Sequence, residues 1–98
     1  MTRAHILEVL RGAEARLRAE GVTRLALFGS RARGDDSPAS DVDILVHFDP
    51  QAGVTLLDLA KWRRELSASL NAEVQIMTAP IRRETLRASV ERDAVYAF

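Results

Sequence analysis

The sequence predicts an α/β (α+β) domain, and three observations carry that expectation. Residues 3–20 place apolar side chains at helical spacing, Val22 to Phe28 and Val42 to Phe48 read as short buried strands, and a second helical pattern follows to about Leu70. Ninety-eight residues support one domain, residues 1–98, with a single modest core.

The first helix carries Ile6, Val9, Leu10, Ala13 and Leu17 on one stripe, with Arg11, Glu14, Arg18 and Glu20 mostly off it. Gly21 is its natural stop. His5, in the first turn, reads as a solvated helix residue. Leu25, Ala26, Leu27 and Phe28 then form a continuous apolar run, which suits a strand covered on both faces. Gly29 permits a tight turn and close approach of backbone to a ligand. Ser30 to Gly34 can open a short helix whose leading N–H groups, with the Ser30 hydroxyl, suit a phosphate.

Residues 35–40 are a loop by composition. The strand after it alternates: Val42, Ile44, Val46 and Phe48 point to one face, and Asp41, Asp43, Leu45, His47 and Asp49 to the other. Asp41 and Asp43 therefore stand side by side, roughly 6–7 Å apart along the strand. Two such charges repel unless something positive lies between them. A divalent cation answers that need, and a salt bridge from Arg31 or Arg33 is the structural alternative. His47 and Asp49, further along the strand, read as structural or rim residues.

Pro50 to Gly53 connects to a helix opened by Thr55 with Asp58 three residues on, a capping-box pattern. Its expected buried side chains are Leu56, Leu59, Ala60, Leu66 and Leu70, with Trp62 at the edge of the stripe. Lys61, Arg63, Arg64 and Glu65 make a charged outer surface. Glu73 to Met77 reads as a third strand, with Glu73, Gln75 and Met77 on one face. Pro80 marks the start of a helical C-terminal segment, and Tyr96 and Phe98 read as packing residues.

Composition narrows the function classes. Fourteen basic residues balance fourteen acidic ones, so bulk electrostatic gripping of nucleic acid is not expected. There is no cysteine, which excludes disulfides and thiolate metal sites. Any metal must be held by carboxylates, and that favours a hard ion such as Mg²⁺ or Mn²⁺. No apolar run is long enough to cross a bilayer and the N-terminus lacks a signal peptide's apolar stretch, so a cytoplasmic protein is expected.

Gly29-Ser30, the Arg-Ala-Arg-Gly that follows, and Ser40-Asp41-Val42-Asp43 together resemble the signature of the nucleotidyltransferase superfamily that includes DNA polymerase beta. A Gly-Ser turn with an Asp-x-Asp twelve residues later, each on a buried strand, is a specific combination. The short chain resembles more narrowly the minimal nucleotidyltransferases, of the MNT antitoxin type paired with HEPN-domain toxins.

The resemblance implies a small mixed β-sheet flanked by helices, with Gly29 and Ser30 holding a triphosphate and Asp41 and Asp43 coordinating Mg²⁺. One of Arg31 and Arg33 would neutralise phosphate charge. It implies transfer of a nucleoside monophosphate, AMP from ATP, to a hydroxyl of a protein partner, a HEPN toxin whose acceptor is a tyrosine. A homo-oligomer stays open.

One position departs from the family's pattern. Relatives carry a third aspartate on the strand after the long helix, and the matching position here is Gln75. An amide cannot take a proton from an attacking hydroxyl. Glu73, two residues earlier on the same face and displaced by roughly 6–7 Å, could stand in. Two further readings follow: a catalytically weakened module that inhibits its partner by occupying a surface, and transfer to a small molecule such as an aminoglycoside.

Overall fold

The computed structural model describes residues 1–98, folded as a mixed four-stranded sheet with five helices, an α+β arrangement. The first helical pattern divides in two, α1 (Arg3–Gly12) and α2 (Glu14–Ala19), and does not run unbroken over residues 3–20. The break falls beside Gly12, the residue there least suited to a helix interior. It lets α1 lie against the later helix over Leu56–Leu70, while α2 turns to press Leu17 onto the first strand. Thr2 caps α1 by accepting the His5 N–H at 3.1 Å.

Strand β1 (Val22–Phe28) follows, then the short helix α3 (Ser30–Arg33) and strand β2 (Val42–Phe48). A single 3-10 turn, Pro50–Ala52, leads to the long helix α4 (Leu56–Leu70). The Thr55–Asp58 capping box is present, and Asn71 closes α4 in the left-handed region at φ 50°. Strand β3 (Val74–Thr78), helix α5 (Glu84–Asp93) and the two-residue strand β4 (Val95–Tyr96) complete the chain.

The strands stand in the order β3-β2-β1-β4, with β2 parallel to β3 and β1 antiparallel to both β2 and β4. One face of the sheet carries Leu25, Leu27, Val42, Ile44 and Val46 and forms the main core with Ile6, Leu10, Trp62 and Leu66. The other face packs Ala26 and Leu45 against Ile81 and Val90 of the α5 segment. Leu25, Ala26 and Leu27 are fully buried, as a strand covered on both sides requires. The alternation expected of β2 is the one found, so its aspartate face is the α5 face.

Three expectations are corrected. Leu56 is 82% exposed, whereas Trp62 is 1% exposed and belongs to the centre of the core. The buried stripe of α4 begins later than expected, since Leu57 is as exposed as Leu56 and the buried residues are Trp62, Leu66 and Leu70. Trp62 tolerates full burial because its Nε1–H donates to Glu20 at 2.9 Å. The C-terminal helix starts at Glu84, not at Pro80, and the Ala79–Pro80 peptide is cis. The last residues form a strand edge: Ala97 N–H donates to the Leu25 carbonyl at 2.8 Å and Arg11 Nε to the Ala97 carbonyl at 3.1 Å.

Gly21 does follow the end of α2, and for a packing reason. Its φ is +109°, and a Cβ there would stand 2.7 Å from the Ala52 Cβ.

Candidate active site

Antiparallel pairing of β1 with β2 sets the end of one strand beside the start of the other. Phe28, the last residue of β1, stands opposite Asp43 in the register. Gly29 comes next, with φ 75° and ψ −158°. A Cβ built at Gly29 would collide with the Asp43 carboxylate, its nearest approach to Cγ being 3.3 Å. Glycine is therefore required twice over, by its backbone angle and by the carboxylate packed against it.

The Gly29 carbonyl accepts the N–H groups of Ala32 and Arg33, both at 3.1 Å, which starts α3. The leading amides of such a turn have no intrahelical partner, and here they belong to Ser30 and Arg31. Gly34, at φ 83°, ends the turn by donating to the Ser30 carbonyl at 2.9 Å. Arg3 Nη1 donates to the Ala32 carbonyl at 2.8 Å, so α1 fixes the far end of α3.

Asp41 is exposed just ahead of β2, and Asp43 is half-buried within it. Between them Val42 is fully buried, and its N–H donates to the Glu73 carbonyl at 2.8 Å. The pair is thus anchored through the residue between its members. Burial pushes the Asp43 carboxyl above the ordinary range, the charge of Asp41 pushes it further, and Arg33 opposes both. Neither aspartate is in a salt bridge, so the arginine bridge between them is not what the chain uses.

Two adjacent carboxylates, with the charge of Asp41 pushing the Asp43 carboxyl up, form an all-oxygen donor set short of positive charge. That set fits a hard divalent ion such as Mg²⁺ or Mn²⁺. Nowhere do three His, Cys, Asp or Glu side chains converge as a ready metal cage. The position facing Asp43 from β3 is Gln75, aligned with it in the parallel register and exposed. Glu73, the expected stand-in, is ion-paired to Arg63, whose Nε also donates to the Val74 carbonyl at 3.1 Å.

The two arginines diverge. Arg31 is 6% exposed, with Nη1 donating to Asp36 and Nη2 to the Ser40 carbonyl, both at 2.8 Å. It braces the loop that delivers Asp41, and its Nε has no partner. Arg33 stays 43% exposed, donating to Asp35 at 3.0 Å and to Asp93 at 2.9 Å. Asp93 has no warning in the sequence, because it lies sixty residues from Arg33 and at the end of a different helix.

A polar cleft of about 270 Å³ adjoins Asp41 and is lined also by Arg31, Ser40, Asn71 and Glu73. A larger cavity of about 380 Å³ lies beyond the β2 end distant from the aspartates, lined by Leu45, His47, Ile81, Arg87 and Tyr96 among others. There His47 Nε2 and the Tyr96 hydroxyl share a hydrogen bond of 2.9 Å, consistent with a structural role for both.

A family model described as a nucleotidyltransferase domain matches residues 9–97. A Methanocaldococcus jannaschii protein, provisionally named a protein adenylyltransferase, is 45% identical over 58 residues, 59% of this chain and 60% of that protein. The chain therefore aligns with less than two thirds of that relative's length.

A solved structure described as a minimal nucleotidyltransferase is 36% identical, with a TM-score of 0.77 over 97% of this chain and 95% of that one. The fold is also that of the complex of a tri-AMPylated Shewanella oneidensis HEPN toxin with its MNT antitoxin, at TM-score 0.65 and 16% identity over 94% of this chain and 71% of that one. With the Gly-Ser turn, the Asp-x-Asp strand and a family match over nearly the whole sequence in agreement, the chain belongs to the nucleotidyltransferase family.

Proposed function

We propose that this single domain is a Mg²⁺-dependent adenylyltransferase that moves AMP from ATP to a hydroxyl of a protein partner, acting as the antitoxin of a HEPN toxin. The observation that carries the reading is the contact between Gly29 and Asp43. It puts the element suited to a triphosphate and the element suited to a divalent ion in one site. The antitoxin context rests on fold likeness to the MNT–HEPN complex, and the transfer to protein on the name of the archaeal relative. No helix is long and apolar enough to cross a membrane, which accords with a place in the cytoplasm.

In this reading Gly29 and Ser30 cradle the phosphates with backbone amides and the Ser30 hydroxyl. Arg33, the more exposed arginine, meets phosphate oxygens, and Arg31 keeps the Asp41 loop in place. Asp41 and Asp43 would hold the divalent ion, which would supply charge neutralisation at the phosphates and on the leaving pyrophosphate. The acceptor oxygen bonds to the α-phosphorus, the bond from that phosphorus to the α–β bridging oxygen breaks, and pyrophosphate departs. The hydroxyl proton leaves to solvent, because Gln75 cannot accept it and Glu73 is engaged by Arg63. Losing a positioned base costs about 10²–10⁴ in rate, so turnover is slow.

The test is transfer of label from α-labelled ATP to the HEPN partner, with Asp41→Ala/Asp43→Ala as control. Label on the partner that disappears in the double variant supports the transferase. The engaged Glu73 and the amide at position 75 favour a second reading, an inhibitory module that works by occupying a surface. Neutralisation of the toxin by the double variant as well as by wild type would establish that reading and sink the first.

A further inference from the structure

The surroundings of Arg33 are acidic beyond what its own pairing needs. Arg31 and Arg33 stand nearest, with Arg3 bound to the Ala32 carbonyl and the exposed Arg92 beyond them, against Asp35, Asp36, Asp41, Asp43 and Asp93. Arg31 is consumed by Asp36 and the Ser40 carbonyl. Arg33 is the exposed cation of α3 itself, and it is already shared between two carboxylates. Asp35 is a near neighbour on the same loop and 61% exposed. Asp93 differs on both counts.

Asp93 is the last residue of α5, and its side chain is 8% exposed. Its only other cationic partner is Arg92, at 3.4 Å, which is itself 73% exposed. A carboxylate so covered depends on Arg33, and the hydrogen bond from Arg33 is the first cause holding its proton affinity down. The same bond is the polar tie between the end of α5 and α3. The remainder of α5 is held to the sheet by apolar packing around Val90 and Leu86.

We infer that Asp93 is a built-in competitor for the nucleotide's phosphates: it holds Arg33 until a triphosphate arrives, then gives the guanidinium up and frees the C-terminal end of α5. This rests on the nucleotide reading proposed above and adds a positioning residue and a conformational consequence to it. The exchange replaces one charge-assisted bond by another, so its cost is modest at an exposed guanidinium. Asp93 then regains solvent by loosening the last turn of α5, which is closed by the Ala94 N–H donating to the Val90 carbonyl at 2.8 Å. Nucleotide occupancy would thereby be signalled to the segment that covers the α5 face of the sheet.

The experiment titrates α,β-methylene-ATP with Mg²⁺ into wild type, Asp93→Asn and Asp93→Glu, and follows hydrogen exchange of residues 84–96. The expected result is binding about two- to fivefold tighter in Asp93→Asn, the size of an exposed ion pair, with a lower thermal midpoint. Structural damage lowers affinity and midpoint together, so opposite movements identify the competitor. Asp93→Glu should stay near wild type. Nucleotide should speed exchange at the end of α5 in wild type and change it little in Asp93→Asn.

Equal or weaker binding by Asp93→Asn, or no change in α5 exchange when wild type binds, overturns the inference alone. Absence of binding in wild type and variants alike overturns the nucleotide reading, and the role of Asp93 with it. Asp93→Ser, with the charge removed and a smaller side chain, supplies the same comparison should Asp93→Asn not fold.

Discussion

The carboxylate of Asp43 occupies the space that a side chain at Gly29 would need. Because Gly29 also has φ 75°, any substitution there carries both a backbone and a steric penalty. Gly29→Ala should destabilise the fold by about 1–3 kcal/mol, measured by urea denaturation. It should also weaken Mg²⁺–nucleotide binding, since relief of the clash displaces Asp43. Wild-type stability and affinity in Gly29→Ala would mean that the turn and the strand do not form one site.

Gln75 faces Asp43 across the parallel register of β2 and β3, at the strand position where the family's third carboxylate is expected. Gln75→Asp should raise the rate of AMP transfer, by about tenfold or more within the range of a restored general base. Without divalent ion a third carboxylate should lower the thermal midpoint, and Mg²⁺ should restore it, because unbalanced charges repel and a cation joins them. If the rate stays flat while the metal effect on the midpoint appears, proton removal is not what limits turnover.

The central elements were legible because their signals are local. The continuous run Leu25–Phe28 and the alternation of Val42–Phe48 specify two buried strands, and the antiparallel pairing of those strands places Gly29 next to Asp43. Other features depend on what the chain meets after folding. Which α4 residues are covered depends on what packs against the helix: the sequence pattern points Leu56 inward and Trp62 to the edge, and the fold exposes Leu56 and buries Trp62. Strand β4 spans two residues and has no pattern of its own; its pairing with Ala26 and Leu27 creates it. Which of Arg31 and Arg33 stays exposed depends on the path of residues 35–40, which folds back over Arg31.

Arg31 is buried beneath the loop that leads to Asp41. Its buried guanidinium joins Asp36 and the Ser40 carbonyl, the latter immediately before Asp41. Arg31→Met should cost about 2–4 kcal/mol, from an uncompensated Asp36 and an unsatisfied carbonyl, read by chemical denaturation. Affinity for Mn²⁺ should fall as the Asp41 loop loosens. Arg31→Lys should recover only part of either loss, since an ammonium does not reproduce the planar fork that spans both acceptors.

His47 supplies a pH dependence that is separate from the aspartate site. Burial first, and the charge of Arg24 second, hold its imidazole below the ordinary value of 6.5. The unfolded chain therefore takes up a proton near that value while the folded chain resists it. The stabilisation is complete above about pH 6.5 and is lost as the pH falls toward the folded value. Urea denaturation between pH 7.5 and 5 should show stability declining in wild type, and His47→Gln should remove the part of the slope that lies just below 6.5. A slope of the same size in His47→Gln would assign the titration to another group and leave the His47–Tyr96 hydrogen bond without a part in acid stability.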